Sequence, residues 1–567
     1  MSPFYQDGPV LSNTYTGDSL LKAYLARVLP AHVLAEVEPG LVRLGDRAAG
    51  DLREMAADAE RDLPRLVAFD PWGRRIDRID VARGWKELEE AAAALGLVAA
   101  GYERQHGTFS RIDQFARLYL FTASSAIFTC PLAMTDGAAR LIEVHGDPEL
   151  KARALPHLLS RVPSEFWTSG QWMTERTGGS DVGTSESVAR WDGQAFRLYG
   201  DKWFTSATTS PMAMTLARIE DTAGGTAPGS RGLSLFYLET HLGDGSSNGI
   251  RIHRLKDKLG TRALPTAELT MDGTEARLVG PPGSGVKQIS TLFNVTRIYN
   301  AVSAVSLMRR GIALARDWAW RRSAFGKRLS EQPLFLETLA ALEVELHAAF
   351  HLTFHLVGLM GKVECGAATA AEAAEMRLLT PLAKLSTAKQ GIAVASEVLE
   401  CFGGAGYVEE TGLPALLRDA QVLAIWEGTT DVLSLDALRA IRKEGALGPL
   451  LSGIETRLSL ADVPPLHESV ARVREAVDRL GARAIQMVSD PALAEASART
   501  FALGLSRVTA ASLLLEQATW ALTGKASARP VEVARRWCSG PLAPTAETGA
   551  KHRAASRALA MDDGAAG

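Results

Sequence analysis

One carboxylate, Glu427, stands in an otherwise apolar run, with Leu-Ala-Ile-Trp before it and Gly428-Thr429-Thr430 after it. Apolar surroundings disfavour the charged form of a carboxylate and raise its pKa. A general base for a weak carbon acid needs that shift, because such a base works best with a pKa near the operating pH. Read alone, the residue is equally a half-exposed glutamate in an ion pair. In MTERTGGSDVGTS (173–185), the cluster Gly178-Gly179-Ser180 can bring backbone N–H groups and a hydroxyl to an anionic or polar cofactor edge, or form a plain glycine turn. In KWFTSA (202–207), strand alternation puts Phe204 and Ser206 on one face, the ring flat against a planar group and the hydroxyl at its edge. RRSAFGKRLSEQP (321–333) reads as a basic, glycine-broken helix end, and LECFGGAGYVEE (399–410) holds Gly403, Gly404 and Gly406.

These segments need elements to hold them. Residues 1–165 read as a helical domain, with Leu20, Leu21, Tyr24, Leu25 and Val28 at helical spacing and KELEEAAAALGLVAA a strong helix former. Residues 166–285 change texture, and SVARWDGQAFRLYGDKWFTS alternates around Asp192-Gly193 and Gly200-Asp201 as hairpins do. Long helical patterns return over 286–445 and suggest an antiparallel bundle. From 446 to 567 a helical extension follows, with a sharp start at Pro464-Pro465 and a frayed tail after 543. The expected fold is mostly α, with a β domain inserted between helical layers.

Composition narrows the class. The chain has 567 residues and a net charge of −3, which argues against a basic protein built to coat nucleic acid. Its four scattered cysteines form no CxxC pair and read as reduced thiols. The N-terminus lacks the basic and apolar regions of a secretory signal, and no run of 18 apolar residues is present, so a cytoplasmic protein with no membrane span is expected.

In order and spelling, the segments resemble the acyl-CoA dehydrogenase superfamily over roughly residues 85–445. MTERTGGSDV resembles its TEPxAGSD flavin loop, KWFTSA its KxWITN strand, and RLKDKLGTRALPTAEL the segment closing its β domain. AFGKRLSEQP is similar to its FGKPLxxxQ helix, and CFGGAGY and WEGTTD to ILGGxGF and YEGTxQ. The extension before residue 85, the CPLAMTDGAA segment (130–139) and the C-terminal extension resemble the AidB-like branch, flavoproteins of the adaptive response to alkylation with acyl-CoA-binding relatives in animals.

The resemblance implies FAD, with Met173, Thr174, Gly179 and Ser180 on its flavin side and Phe204 and Ser206 beside the ring. Arg322, Phe325, Gly403, Gly404 and Gly406 are then expected at the adenosine-pyrophosphate part of a neighbouring subunit's FAD, with Thr429 and Asp431 near the pyrophosphate. Asp431 stands where the family has Gln or Asn, and Gln332 falls one residue early. Glu427 is the implied base and Arg297 a substrate-binding residue; Thr296 occupies the position where other members place their glutamate. The implied reaction removes the α-proton of an acyl-CoA while hydride leaves Cβ for the flavin, in a homotetramer that passes electrons to an electron-transfer flavoprotein. The rival reading is a DNA-associated protective flavoprotein with vestigial dehydrogenase activity.

Three further signals carry less. His347, His351 and His355 lie on one helix face below Glu343, but no HExxH accompanies them, so they read as satisfied interior histidines rather than metal ligands. GPPGSGVK (280–287) imitates a phosphate loop but has Val286 where Lys is required. Arg472, Arg479 and Arg483 form a stripe suited to DNA, yet residues 446–567 have a net charge of only +2, which favours a solvated face.

Overall fold

The computed structural model describes residues 6–525, 527–543 and 549–561. The chain opens with helices α1 (Ser19–Val28), α2 (Ala31–Ala49), α3 (Asp51–Arg61), α4 (Arg83–Ala94), α5 (Ala99–Glu103), α6 (Ser110–Thr122), α7 (Thr129–His145) and α8 (Pro148–Leu158). Between α3 and α4 lies a hairpin that the helical reading of this region does not contain, β1 (Arg65–Phe69) with β2 (Arg75–Asp80). Its turn, Asp70-Pro71-Trp72-Gly73, is ordinary turn chemistry.

The one charged residue of CPLAMTDGAA, Asp136, has a structural task. Asp136 is fully buried and accepts from Arg111 Nη1 at 2.8 Å, Tyr102 Oη at 2.8 Å and Tyr299 Oη at 2.9 Å. The same guanidinium donates from Nε to Glu364 at 2.6 Å, so one buried arginine joins three helical layers. Charges survive such burial only when paired and hydrogen-bonded on all sides.

The strands β3 (Ser169–Trp172), β4 (Val188–Trp191), β5 (Phe196–Ser206), β6 (Met212–Ile219), β7 (Leu233–Glu239), β8 (Ile250–Leu255) and β9 (Thr266–Val279) follow. Their ladder runs β3-β6-β4-β5-β9-β7, β8 adds to β9, and β6 also pairs with β7, so the sheet closes into a small barrel. Closure removes the open edges that invite wrong pairing. Trp172, Leu198, Phe236, Leu269 and Met271 fill its interior.

The bundle is α9 (Gly285–Arg321), α10 (Pro333–Glu364), α11 (Ala370–Cys401), α12 (Leu413–Val422) and α13 (Thr430–Glu444), with a two-residue hairpin β10 (Ser323–Ala324) and β11 (Lys327–Arg328) after α9. GPPGSGVK is the entry to α9. The extension forms α14 (Leu447–Leu460), α15 (His467–Ser489), α16 (Pro491–Trp520) and α17 (Arg529–Ser539). A last helix, α18 (Ala550–Met561), buries no residue and occupies part of the stretch expected to fray; the rest of that stretch lies outside the described residues. Bundle and extension share one apolar core that runs from Leu346 and Leu378 to Ile454, Leu513 and Trp537.

Candidate active site

Glu427 lies in the turn between α12 and α13 with φ +57°, and Gly428 follows at φ +103°. A left-handed conformation is costly for a residue with a Cβ and persists only where its surroundings enforce it. Here α9 and α11 enforce it. Asn300 accepts from the Trp426 indole and donates to Leu423 O at 3.2 Å. Arg297 Nε donates to Glu427 O at 3.3 Å, and Lys384 Nζ donates to Gly428 O at 2.7 Å.

The carboxylate itself accepts from Thr296 Oγ1 at 2.7 Å. Burial raises its pKa above the ordinary value, and Thr296, Arg297, Lys384 and Gln171 of β3 each pull it partly back. Burial likewise pulls the Lys384 ammonium down to about 7, the nearby Glu427 charge opposing that. Cys130, at the start of α7, is a neutral thiol, its pKa pushed up to about 12 by burial. The site therefore combines a poised carboxylate, two cations behind its backbone and a largely apolar setting.

The glycine-rich loop is fastened to β5. Glu175 is buried and accepts from Lys202 Nζ at 2.7 Å, Ser187 Oγ at 2.7 Å and Glu186 N at 2.6 Å. Trp203 N donates to Thr174 O at 2.9 Å, which sets the loop beside the strand. Gly179 closes on Thr174, since a Cβ there would meet Thr174 Oγ1 at 2.6 Å. Met173 is buried, Thr174 half-buried and Ser180 exposed. A register shift in β5 between Lys202 and Thr205 turns both of those inward and leaves Phe204 and Ser206 on the outer face together. Phe204 is 49% exposed. Met173 and Thr174, in the loop after β3, are thus tied to β5, which carries Phe204 and Ser206.

A second group lies at the far end of α9. Arg322 caps that helix and is exposed, and Phe325, at φ +51°, is 99% exposed. Gln332 donates to Ala324 O at 2.9 Å, which fixes this corner from within. Gly403 and Gly404 have open space where a side chain would stand, whereas a Cβ on Gly406 would meet Leu399 O at 2.1 Å. Thr429 caps α13 through Val432 N, and Asp431, also exposed, pairs with Arg499 of α16 at 3.3 Å. Arg297, expected at the substrate, has its guanidinium on Glu427 O and, at 2.8 Å, on Asp436, so it acts on the turn.

Lys384, Asn300, Glu175 and Lys202 are the supports that reading the sequence missed. The one available signal is a lysine in each of two apolar settings, LAKLS and DKWF. Of the histidines, His355 meets Glu375 at 3.0 Å, but the ring nitrogens of His351 and Nε2 of His347 have no hydrogen-bond partner among the described residues, Glu343 lying 3.7 Å from the latter. Burial pulls the His347 imidazole down to about 3 and keeps both rings neutral. Among the described residues no group of His, Cys, Asp and Glu is arranged to hold a metal, and no helix is long and apolar enough to cross a membrane.

Family models match along the whole chain: the adaptive response protein AidB N-terminal domain over 9–162, the acyl-CoA dehydrogenase middle domain over 170–274, the acyl-CoA dehydrogenase C-terminal domain over 283–441, and an acyl-CoA dehydrogenase 11 C-terminal domain-like region over 446–564. Acyl-CoA dehydrogenase family member 11 of Caenorhabditis elegans is 42% identical over 94% of this chain and 88% of that protein. The crystal structure of Caenorhabditis elegans ACDH-11 in complex with C11-CoA superposes with a TM-score of 0.96 at 40% identity, covering 100% of this chain and 98% of that one. The putative acyl-CoA dehydrogenase AidB of Escherichia coli is 33% identical over 70% of this chain and 73% of its own length. With its fold, its poised carboxylate and these matches, the chain belongs to the acyl-CoA dehydrogenase family, with an N-terminal domain of the AidB type.

Proposed function

We propose that this protein is an FAD-dependent acyl-CoA dehydrogenase in which Glu427 takes the α-proton of an acyl thioester. The observation that carries the reading is the Glu427 turn: a carboxylate with raised pKa, held in a strained backbone conformation by Arg297 and Lys384. The left-handed φ sets the Glu427 N–H and carboxylate in fixed relation, so one residue can abstract the proton and donate to the thioester oxygen. A fixed donor at a developing enolate needs no reorganisation during reaction.

The residues present suit FAD. Phe204 offers a half-exposed ring beside the Ser206 hydroxyl, and the capped N-terminus of α13 offers the free N–H groups that favour phosphate. Gly403 and Gly404 leave room for close approach. Met173, Thr174, Gly179, Ser180, Phe204 and Ser206 would hold the flavin end and Thr429 the pyrophosphate. Arg322, Phe325, Gly403, Gly404 and Gly406 would meet the nucleotide of a neighbouring subunit. When bound, FAD supplies the acceptor for the hydride that leaves Cβ. Exposure of the large apolar residues Phe325, Leu334 (83%) and Tyr407 (91%) in the segments expected to meet a neighbouring subunit supports a homo-oligomer, a tetramer in our reading. Electrons then pass to an electron-transfer flavoprotein.

The substrate class is an acyl-CoA. For the rival DNA-associated role, Arg472 and Arg479 each pair with a glutamate one turn back, Glu468 and Glu475, which favours a solvated face. The test is anaerobic mixing of the FAD-loaded protein with C11-CoA and shorter acyl-CoAs. Rapid bleaching of the flavin band is expected. An oxidised flavin after prolonged exposure to every chain length would overturn the enzymatic reading.

A further inference from the structure

Ser206 and Thr266 face each other across the β5–β9 ladder, with Ser206 Oγ 3.1 Å from Thr266 Oγ1. A hydroxyl pair at that distance has two polarities, because either oxygen can donate. A third residue decides between them. Lys258, in the segment entering β9, sends its Nζ to Thr266 Oγ1 at 3.0 Å and to Leu264 O at 2.7 Å. An ammonium group only donates, so Thr266 Oγ1 is an acceptor there.

The Thr266 hydroxyl proton then has two places to go. Leu264 O lies at the 3.5 Å limit of a hydrogen bond and also accepts the shorter bond from Lys258. Ser206 Oγ is nearer, so Thr266 donates to Ser206. With its oxygen accepting from Thr266, Ser206 keeps its own O–H for the outer face, where among the described residues it has no other hydrogen-bond partner. Thr266 is buried to 3% exposure, which shields the middle of this chain from water.

We infer that Lys258 and Thr266 are positioning residues that fix Ser206 as a hydrogen-bond donor to whatever acceptor lies against the Phe204 face. The inference rests on the reading that FAD occupies that face, and the acceptor is then an edge nitrogen or oxygen of its ring. A lysine at the inner end suits this task, since charge-assisted bonds are the stronger ones and polarise the bonds that follow. The relay needs only side chains of this protein, and no covalent change accompanies it.

The test compares Lys258→Met, Thr266→Val, Thr266→Ser and Ser206→Ala, with the double variants that combine the first two with Ser206→Ala. The readouts are the FAD dissociation constant, by fluorescence titration of the apoprotein, and the position of the bound flavin's visible band. Loss of one net hydrogen bond corresponds to about two- to tenfold in affinity. Lys258→Met, Thr266→Val and Ser206→Ala are each expected to weaken FAD by about that factor and to shift the band alike. Thr266→Ser keeps the hydroxyl and should match the parent. Each double variant should be no weaker than Ser206→Ala alone.

Effects of Lys258→Met and Ser206→Ala that multiply would overturn the relay, as would Lys258→Met and Thr266→Val that leave both readouts unchanged. If the charge change at Lys258 prevents folding, the near-isosteric Thr266→Val and its double variant decide alone. A parent protein that takes up no FAD is a different failure and removes the proposed function itself.

Discussion

Lys384 donates from its ammonium to the carbonyl of Gly428 at 2.7 Å, from a helix interior where its side chain is 1% exposed. A buried cation one residue past the candidate base does two things. It joins Arg297 and Asn300 in holding the backbone of the left-handed turn, and it stabilises the ionised form of Glu427 from behind. Replacing it by methionine leaves the part-buried Gly428 O without this donor, a loss of about 1–3 kcal/mol. Lys384→Met is expected to lower stability by that amount in denaturant titrations, and to slow flavin reduction by acyl-CoA. A variant with parental stability and rate would show that the turn is held without it.

Glu427→Gln should keep its fold and its FAD, since the amide fits the same space and still accepts from Thr296. Flavin reduction is expected to fall by about 10²- to 10⁴-fold, the scale for losing a general base. Stopped-flow absorbance gives this number directly, and an unchanged rate would place the base elsewhere.

The pH dependence follows from the sign of the Glu427 shift. A base must be deprotonated to act, and burial raises this carboxyl above the ordinary 4.5. The rate of flavin reduction should therefore climb with pH, with its midpoint above 4.5. In Lys384→Met the midpoint should move further up, because a charge that favoured the carboxylate is gone. A limb centred at or below the ordinary value contradicts the burial argument.

Gly404 and Gly406 separate ligand contact from folding. At Gly406 an added methyl meets the Leu399 carbonyl, so Gly406→Ala should destabilise the turn after α11. At Gly404 the space is open, so Gly404→Ala should leave stability within about 1 kcal/mol while weakening FAD. Paired thermal melts and FAD titrations read both effects, and an unaltered FAD affinity in Gly404→Ala would remove this loop from the nucleotide site.

Arg111 is the cation on which two buried carboxylates depend. Arg111→Leu leaves Asp136 without a cation and Glu364 with only Arg140, at 3.6 Å, and should cost about 3–5 kcal/mol of stability. Chemical denaturation measures it, and a loss under 1 kcal/mol would mean that Arg140 and the two tyrosines suffice.

What the sequence made legible were features set by neighbours along the chain. The helical spacing of the bundle, the turn pairs of the barrel and the apolar setting of Glu427 all lie within a few residues of where they act. The hairpin β1–β2 was hidden for a local reason: two short half-exposed strands carry little periodicity beside strong helices. The supports of the site were hidden because their partners are distant. Lys384 and Gly428 are 44 residues apart, and Arg111 and Glu364 are 253. A buried lysine has no one-dimensional signature except its apolar flanks, and flanks do not say which carbonyl it meets. The Ser206–Thr266–Lys258 chain was hidden by register, which a β-bulge can reset by one residue.

The continuous core beneath α14–α17 has a consequence for how this protein can be dissected. Arg529 of the extension meets the buried Glu343 at 2.8 Å, and Arg457 meets the buried Glu375 at 3.4 Å, while Leu450, Ile454 and Leu513 pack into the same core as α10 and α11. Cutting the chain after Gly445 strips both carboxylates of a cation and opens an oily flank along the bundle. The extension is therefore a wall of the catalytic half, not an attachment to it. A deletion thus alters the bundle as well as removing the extension, and substitutions on the extension's outer surface ask what it contributes without that change.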